Sequence, residues 1–139
     1  KEDWGTFYEQ GGVVIANRYT TSNAVHQASK LPAGERREYL DWLFDLEYRR
    51  LGLPAPDLVV YLDLPTELSE QMLRRRESAT GTQADIHEQD EEYLRSCRMN
   101  ARDIAHDLGW TVIHCDREGA VRTVEDIHEE IWQQVRRYL

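Results

Sequence analysis

Arg18 follows the apolar run Val13-Val14-Ile15-Ala16 directly, inside the polar stretch Asn17-Arg18-Tyr19-Thr20-Thr21-Ser22. A guanidinium at a strand end is a two-pronged clamp for a phosphate or carboxylate. An ordinary surface ion pair with one of the many carboxylates would use the same residue. Ser22, Asn23, His26 and Gln27 come next, at i, i+1, i+4 and i+5 of an expected helix, and share roughly one face. A hydroxyl and two amides so placed could read the hydrogen-bonding edge of a planar ligand such as a nucleobase. Helix capping by Ser22, with the other side chains solvated, is the plainer alternative. Asp63 closes a second apolar run and also belongs to the end of a strand. Arg74-Arg75-Arg76 could be a solvated helix end complementing the helix dipole, or the arginines of a lid that closes over phosphates. The acidic residues Asp85, Glu88, Asp90, Glu91 and Glu92 suit the first turns of a helix, where negative charge is favourable. His114-Cys115-Asp116 is a poor metal site, because adjacent strand residues point to opposite faces.

The elements that must hold these groups follow from the apolar pattern. Gly11-Gly12 reads as a turn entering a short buried strand over 13–16. A helix starts near Thr21 or Ser22. After Pro32-Ala33-Gly34, the stripe Leu40, Leu43, Phe44, Leu46 and Leu51 marks another helix, stopped by Gly52-Leu53-Pro54. Asp57-Leu58-Val59-Val60-Tyr61-Leu62-Asp63 is almost continuously apolar inside, as in a parallel strand covered on both faces. Pro65 opens a helix that Arg74-Arg75-Arg76 is expected to close, with a polar loop over 77–85. A long helix carries Ile86, Tyr93, Leu94, Cys97, Ala101, Ile104, Ala105 and Leu108, and Gly109 ends it. Trp110 to Cys115 forms a third strand. The last helix carries Val121, Val124, Ile127, Ile131, Val135 and Tyr138. This alternation specifies an α/β fold, a three-layer parallel sheet with helices on both faces. Three strands are few, since such sheets average about five or six.

Composition narrows the partners. The chain has 139 residues, with 26 acidic and 17 basic side chains and a formal net charge of -9. That suits one folded domain and argues against broad nucleic-acid binding, which needs a positive face. Fifteen of the basic residues are Arg, and the two Lys are Lys1 and Lys30. No apolar stretch approaches the roughly 18 residues of a membrane span. The charged start lacks a signal-peptide core, and Cys97 and Cys115 read as reduced thiols of a cytoplasmic protein.

Four stretches together resemble the thymidylate kinases, P-loop nucleoside monophosphate kinases that phosphorylate dTMP. Asn17-Arg18-Tyr19-Thr20-Thr21-Ser22-Asn23-Ala24-Val25-His26-Gln27 is similar to the family's Asp-Arg-Tyr-x-x-Ser-x-x-Ala-Tyr-Gln. Pro56-Asp57-Leu58-Val59-Val60-Tyr61-Leu62-Asp63 is similar to its Pro-Asp-Leu-x-x-Tyr-Leu-Asp strand. The 74–92 segment resembles the lid, and Val112 to Cys115 with Val124 to Ile131 resembles the last strand and helix. The resemblance implies that Arg18 contacts the phosphates around the transfer site. It implies that Ser22, Asn23 and Gln27 bind the thymine end of the substrate, and that Arg74 and Arg76 are catalytic lid arginines. It further implies ATP as phosphoryl donor with Mg²⁺ and dTMP as acceptor. A homodimer or association through exposed strand edges is expected, and composition speaks against nucleic-acid or membrane partners. Asn17 stands where the family usually has Asp, and His26 where it usually has an aromatic residue.

The family's Gly-x-x-x-x-Gly-Lys-Ser/Thr loop holds the ATP phosphates. Neither Lys here follows a glycine. The resemblance runs from the family's third strand onward, so residues 1–139 are expected to be a single partial domain, inactive alone, with the loop outside it. In the family's sheet the first strand lies between the strands here at 13–16 and 57–63. Without it both would carry unpaired inner edges, which predicts association or rearrangement rather than a monodisperse monomer with an ordinary three-stranded sheet. The departures at Asn17 and His26 also permit a kinase for another nucleoside monophosphate. A non-catalytic interaction module is the alternative outside enzymology.

Overall fold

A computed structural model describes residues 4–80 and 91–139 of the chain. It falls into two compact units, residues 1–55 and 56–139.

The first unit is helical. A short helix α1 (Gly5–Glu9) is followed by irregular chain, then α2 (Thr20–Ala28), a 3-10 turn (Ala33–Glu35), α3 (Arg36–Phe44) and a π-helical turn (Asp45–Arg50). Helix α2 buries Thr20, Ala24 and Ala28, four residues apart, so small side chains form the stripe that meets α3. Leu40 and Leu43 are the buried residues of α3. Gly52, at φ +63°, ends the π turn in a conformation that costs other residues more.

The strand expected over 13–16 does not form. Val13, Val14 and Ile15 lie in irregular chain outside any strand ladder, and Ile15 is 87% exposed. A segment becomes a strand only when a neighbour supplies its hydrogen bonds, and no described residue does so. The next helix also begins earlier than expected, with Tyr19 at its N-cap and no side-chain cap, so Ser22 lies inside the first turn.

The second unit holds the α/β layer. Strand β1 (Val60–Asp63) pairs in parallel with β2 (Thr111–His114), in the register Val60 to Thr111 through Asp63 to His114. Between them come α4 (Thr66–Thr80) and α5 (Glu91–Asp107). A hairpin of β3 (Asp116–Arg117) and β4 (Ala120–Val121) leads into α6 (Val124–Val135). Helix α5 packs on β1 and α6 on β2. The core is Ile113, Cys115, Cys97, Ala101, Ile104 and Ala105.

Three further expectations change here. Arg74-Arg75-Arg76 does not close its helix, because α4 continues to Thr80. Nothing in Glu77-Ser78-Ala79 breaks a helix, and the Ser78 hydroxyl donates back to the Arg74 carbonyl at 2.8 Å. Residues 81–90, with the rest of the expected loop, Ile86, Asp85, Glu88 and Asp90, lie outside the described residues. Val121 sits in the hairpin rather than on α6, and Tyr138 lies beyond the end of that helix. Glu118 (φ 52°) and Gly119 (φ 78°) form the two-residue turn of that hairpin, the left-handed pair that strand twist favours.

Caps explain the remaining boundaries. Thr123 accepts from the Asp126 amide at 3.2 Å at the start of α6. Gly109 (φ +66°) ends α5, with Trp110 N–H on the Ala105 carbonyl at 2.8 Å and Gly109 N–H on His106 at 3.3 Å.

Candidate functional site

Arg18 has φ 67°, a left-handed backbone conformation that costs a non-glycine residue about 1 kcal/mol or more. Its side chain is exposed, and Nε donates to the Ser22 hydroxyl at 3.1 Å. That bond uses the inner nitrogen of the guanidinium. Among the described residues no hydrogen bond engages the two Nη groups, so the outer edge of the fork remains available to an anion. The loop is pinned on both sides of α2's start. Tyr19 donates its hydroxyl to the Pro54 carbonyl at 3.0 Å, and Thr20 shares a 2.7 Å hydrogen bond with the Tyr48 hydroxyl. Partial burial, with Tyr48 and Glu47 nearby, pushes the Tyr19 phenol up, so it stays a neutral donor.

Asn23 and Gln27 are exposed on α2, and Asn23 Nδ2 donates to Glu47 Oε1 at 3.5 Å, a long contact. The first unit therefore brings Arg18, Ser22, Asn23 and Gln27 together within one loop and helix, with only Arg18 and Ser22 in direct contact. Arg74 and Arg76 belong to the second unit and are exposed on α4. A shallow cavity of about 350 Å³ lined by Leu31, Glu35, Glu38, Tyr39 and Trp42 shares no residue with either set.

A second constellation sits at the carboxyl ends of β1 and β2. The Asp63 side chain is 2% exposed and faces Arg98 through two bonds, Nε to Oδ1 at 2.7 Å and Nη2 to Oδ2 at 3.1 Å. His114 Nδ1 lies 3.4 Å and Arg102 Nε 3.9 Å from Oδ2. Burial opposes the charge on Asp63, but the Arg98 hydrogen bonds and the charges of Arg98, Arg102 and His114 outweigh it and hold the carboxyl below its ordinary value. Because the folded-state pKa is depressed, the stabilisation is present above the unfolded value and lost as pH falls through the folded one. Asp63→Asn should therefore cost about 3 kcal/mol at neutral pH, and flatten the loss of stability between about pH 5 and pH 2. Urea titrations at several pH values would check both effects.

Sequence patterning singled out Asp63 but missed its partners. Arg98 and Arg102 look like ordinary exposed positions of an amphipathic helix, and nothing local signals the strand end they meet. Arg122 was missed too. Its 8% exposed side chain bonds Asp126 Oδ2 at 2.7 Å, Glu130 Oε2 at 2.6 Å and the His114 carbonyl at 2.6 Å. The spacing of Arg122, Asp126 and Glu130, four apart each time, was the available signal. Arg122 fastens α6 to the end of β2, so Arg122→Ala should lower Tm by several degrees in calorimetry, with Arg122→Lys recovering only part. Both cysteines are buried and outside any disulfide, and burial pushes the Cys115 thiol up, away from reactivity.

A parallel strand pair packed by α5 and α6 gives the second unit an α/β layer, and the first unit carries an exposed arginine just before a helix start. The family model for thymidylate kinase matches residues 6–131. The chain is 37% identical over 108 residues to a thymidylate kinase of Mycobacterium tuberculosis (strain CDC 1551 / Oshkosh), covering 75% of this chain and 50% of that one. It is 32% identical over 123 residues to a probable thymidylate kinase of Pyrococcus abyssi (strain GE5 / Orsay), covering 88% and 51%. The chain belongs to the thymidylate kinase family. It spans about half the length of the curated relatives it matches.

Proposed function

We propose that the protein transfers the γ-phosphoryl group of ATP to the 5′-phosphate of dTMP, giving dTDP for DNA precursor synthesis. The observation that carries this reading is Arg18, held left-handed at the start of α2 with only its Nε engaged by Ser22. A strained, exposed arginine with its outer fork available is what a phosphate clamp requires. Ser22, Asn23 and Gln27 then hold the base, with hydroxyl and amide groups reading its hydrogen-bonding edge. Arg74 and Arg76 neutralise charge on the phosphoryl group in transfer. In this reading residues 1–139 form one partial domain, and 74–92 is its lid.

Mg²⁺ accompanies ATP as part of the donor. Among the described residues no group of three or more His, Cys, Asp or Glu side chains could hold the ion. No helix among the described residues is long and apolar enough to cross a membrane. A cytoplasmic homodimer, testable by light scattering of the whole protein, completes the proposal.

The experiment is a substrate panel. With ATP and Mg²⁺, the whole protein should phosphorylate dTMP at least about tenfold better than dUMP, dCMP or AMP, a discrimination of roughly 1.4 kcal/mol. Preference for another monophosphate would assign a different kinase, a possibility that His26 in the base-facing stretch keeps open.

A further inference from the structure

Helix α4 carries Arg74 and Arg76, yet burial does little to hold it. Thr66 in its first turn is buried, Leu68 and Leu73 are half-buried, and Met72 is 48% exposed. Helix α5, by contrast, is anchored by buried Cys97, Asn100, Ala101, Ile104 and Ala105. Its Arg95 and Arg98 are three residues apart and lie on one side of the helix. Both reach toward the start of α4. Arg95 Nη2 meets Glu67 Oε1 at 3.2 Å, and Arg98 grips Asp63, three residues before α4 begins, through both carboxylate oxygens. The Arg95 pair is exposed and weak, whereas the Arg98 pair closes over a buried carboxylate with a planar fork that fixes direction as well as distance.

We propose that Asp63 and Arg98 are positioning residues, a clamp that sets the arginine-bearing helix α4 on the well-packed helix α5. The catalytic part of this inference rests on the phosphoryl-transfer reading above, while the mechanical part stands on the ion pairs alone. Arg98 touches no reacting group in this account. It acts through α4, and the half of that helix beyond Leu73 inherits its aim from the clamped end.

Two readouts on the whole protein test it. In hydrogen exchange, Arg98→Met should speed exchange of the α4 amides beyond Pro65 by about tenfold, the loss of roughly one strong hydrogen-bonded pair. Amides of α2 should be unchanged. Arg98→Lys, which keeps the charge and loses the fork, should fall between wild type and Arg98→Met and guards against a variant that does not fold. Unchanged α4 exchange in both variants overturns the clamp. In kinetics, Arg98→Met should lower kcat about tenfold with the KM for dTMP within about twofold. It should add little in an Arg74→Ala/Arg76→Ala background, because both changes remove one function. Full additivity in that background, or a normal kcat with loosened α4, overturns the link to catalysis. A wild-type protein that phosphorylates no nucleoside monophosphate would instead overturn the transfer reading, and the exchange result would still decide the clamp.

Discussion

Arg18→Ala should lower the turnover of dTMP phosphorylation by about a hundred- to a thousand-fold, the loss typical of a donor aimed at transition-state charge. The same change should leave Tm almost unmoved. The Arg18 side chain is exposed and makes one hydrogen bond, to Ser22, so its removal opens no cavity. Its backbone is strained at φ 67°, a cost that alanine keeps and glycine relieves. Arg18→Gly should therefore match Arg18→Ala in activity while holding or slightly raising Tm. Arg18→Lys keeps the charge but not the planar fork, and should recover only part of the turnover. Steady-state kinetics paired with calorimetry separates these effects. A near-normal rate in Arg18→Ala would remove the residue from the transfer site.

The second large effect concerns α4. Arg74→Ala/Arg76→Ala should cut kcat by about a thousand-fold, within the range of arginines that stabilise a transferring phosphoryl group. The Kd for dTMP should stay within about threefold. The helical geometry sharpens this expectation. Positions two apart on an α-helix lie about 200° apart around its axis, so Arg74 and Arg76 leave α4 on nearly opposite sides. One of the single variants should carry most of the loss. Equal halves would show that both reach the transferring group, and a parallel loss of dTMP affinity would show that neither is placed as a lid arginine.

The features legible in the sequence were those with local signatures. The run Asp57 to Asp63, the glycine stop at Gly109 and the apolar stripe through Cys97, Ala101 and Ile104 each predicted an element that forms, although the strand is confined to Val60–Asp63. Val13-Val14-Ile15 carried an equally good local signal and still formed no strand, because strand formation depends on a partner that a local pattern does not contain. The β3–β4 hairpin was hidden for a different reason. Its signal is the pair Glu118-Gly119 between strands of two residues each, too short for alternation to register.

The candidate site divides along the same line. Arg18, Ser22, Asn23 and Gln27 lie within ten residues, and a linear motif captures them. Asp63 and Arg98 are 35 residues apart in the chain and meet only when α5 packs on β1. No spacing rule joins them. Ser22 shows the limit of local chemistry from the other side. It is a good capping residue that became instead the acceptor for Arg18, because the helix starts two residues before it.

The most direct measurement follows the radiolabelled γ-phosphate of ATP in the whole protein supplied with dTMP and Mg²⁺. Label should appear in dTDP, and its rate of appearance should fall by orders of magnitude in Arg18→Ala. Label released only as inorganic phosphate, or reaching dTDP equally fast without Arg18, would contradict the account.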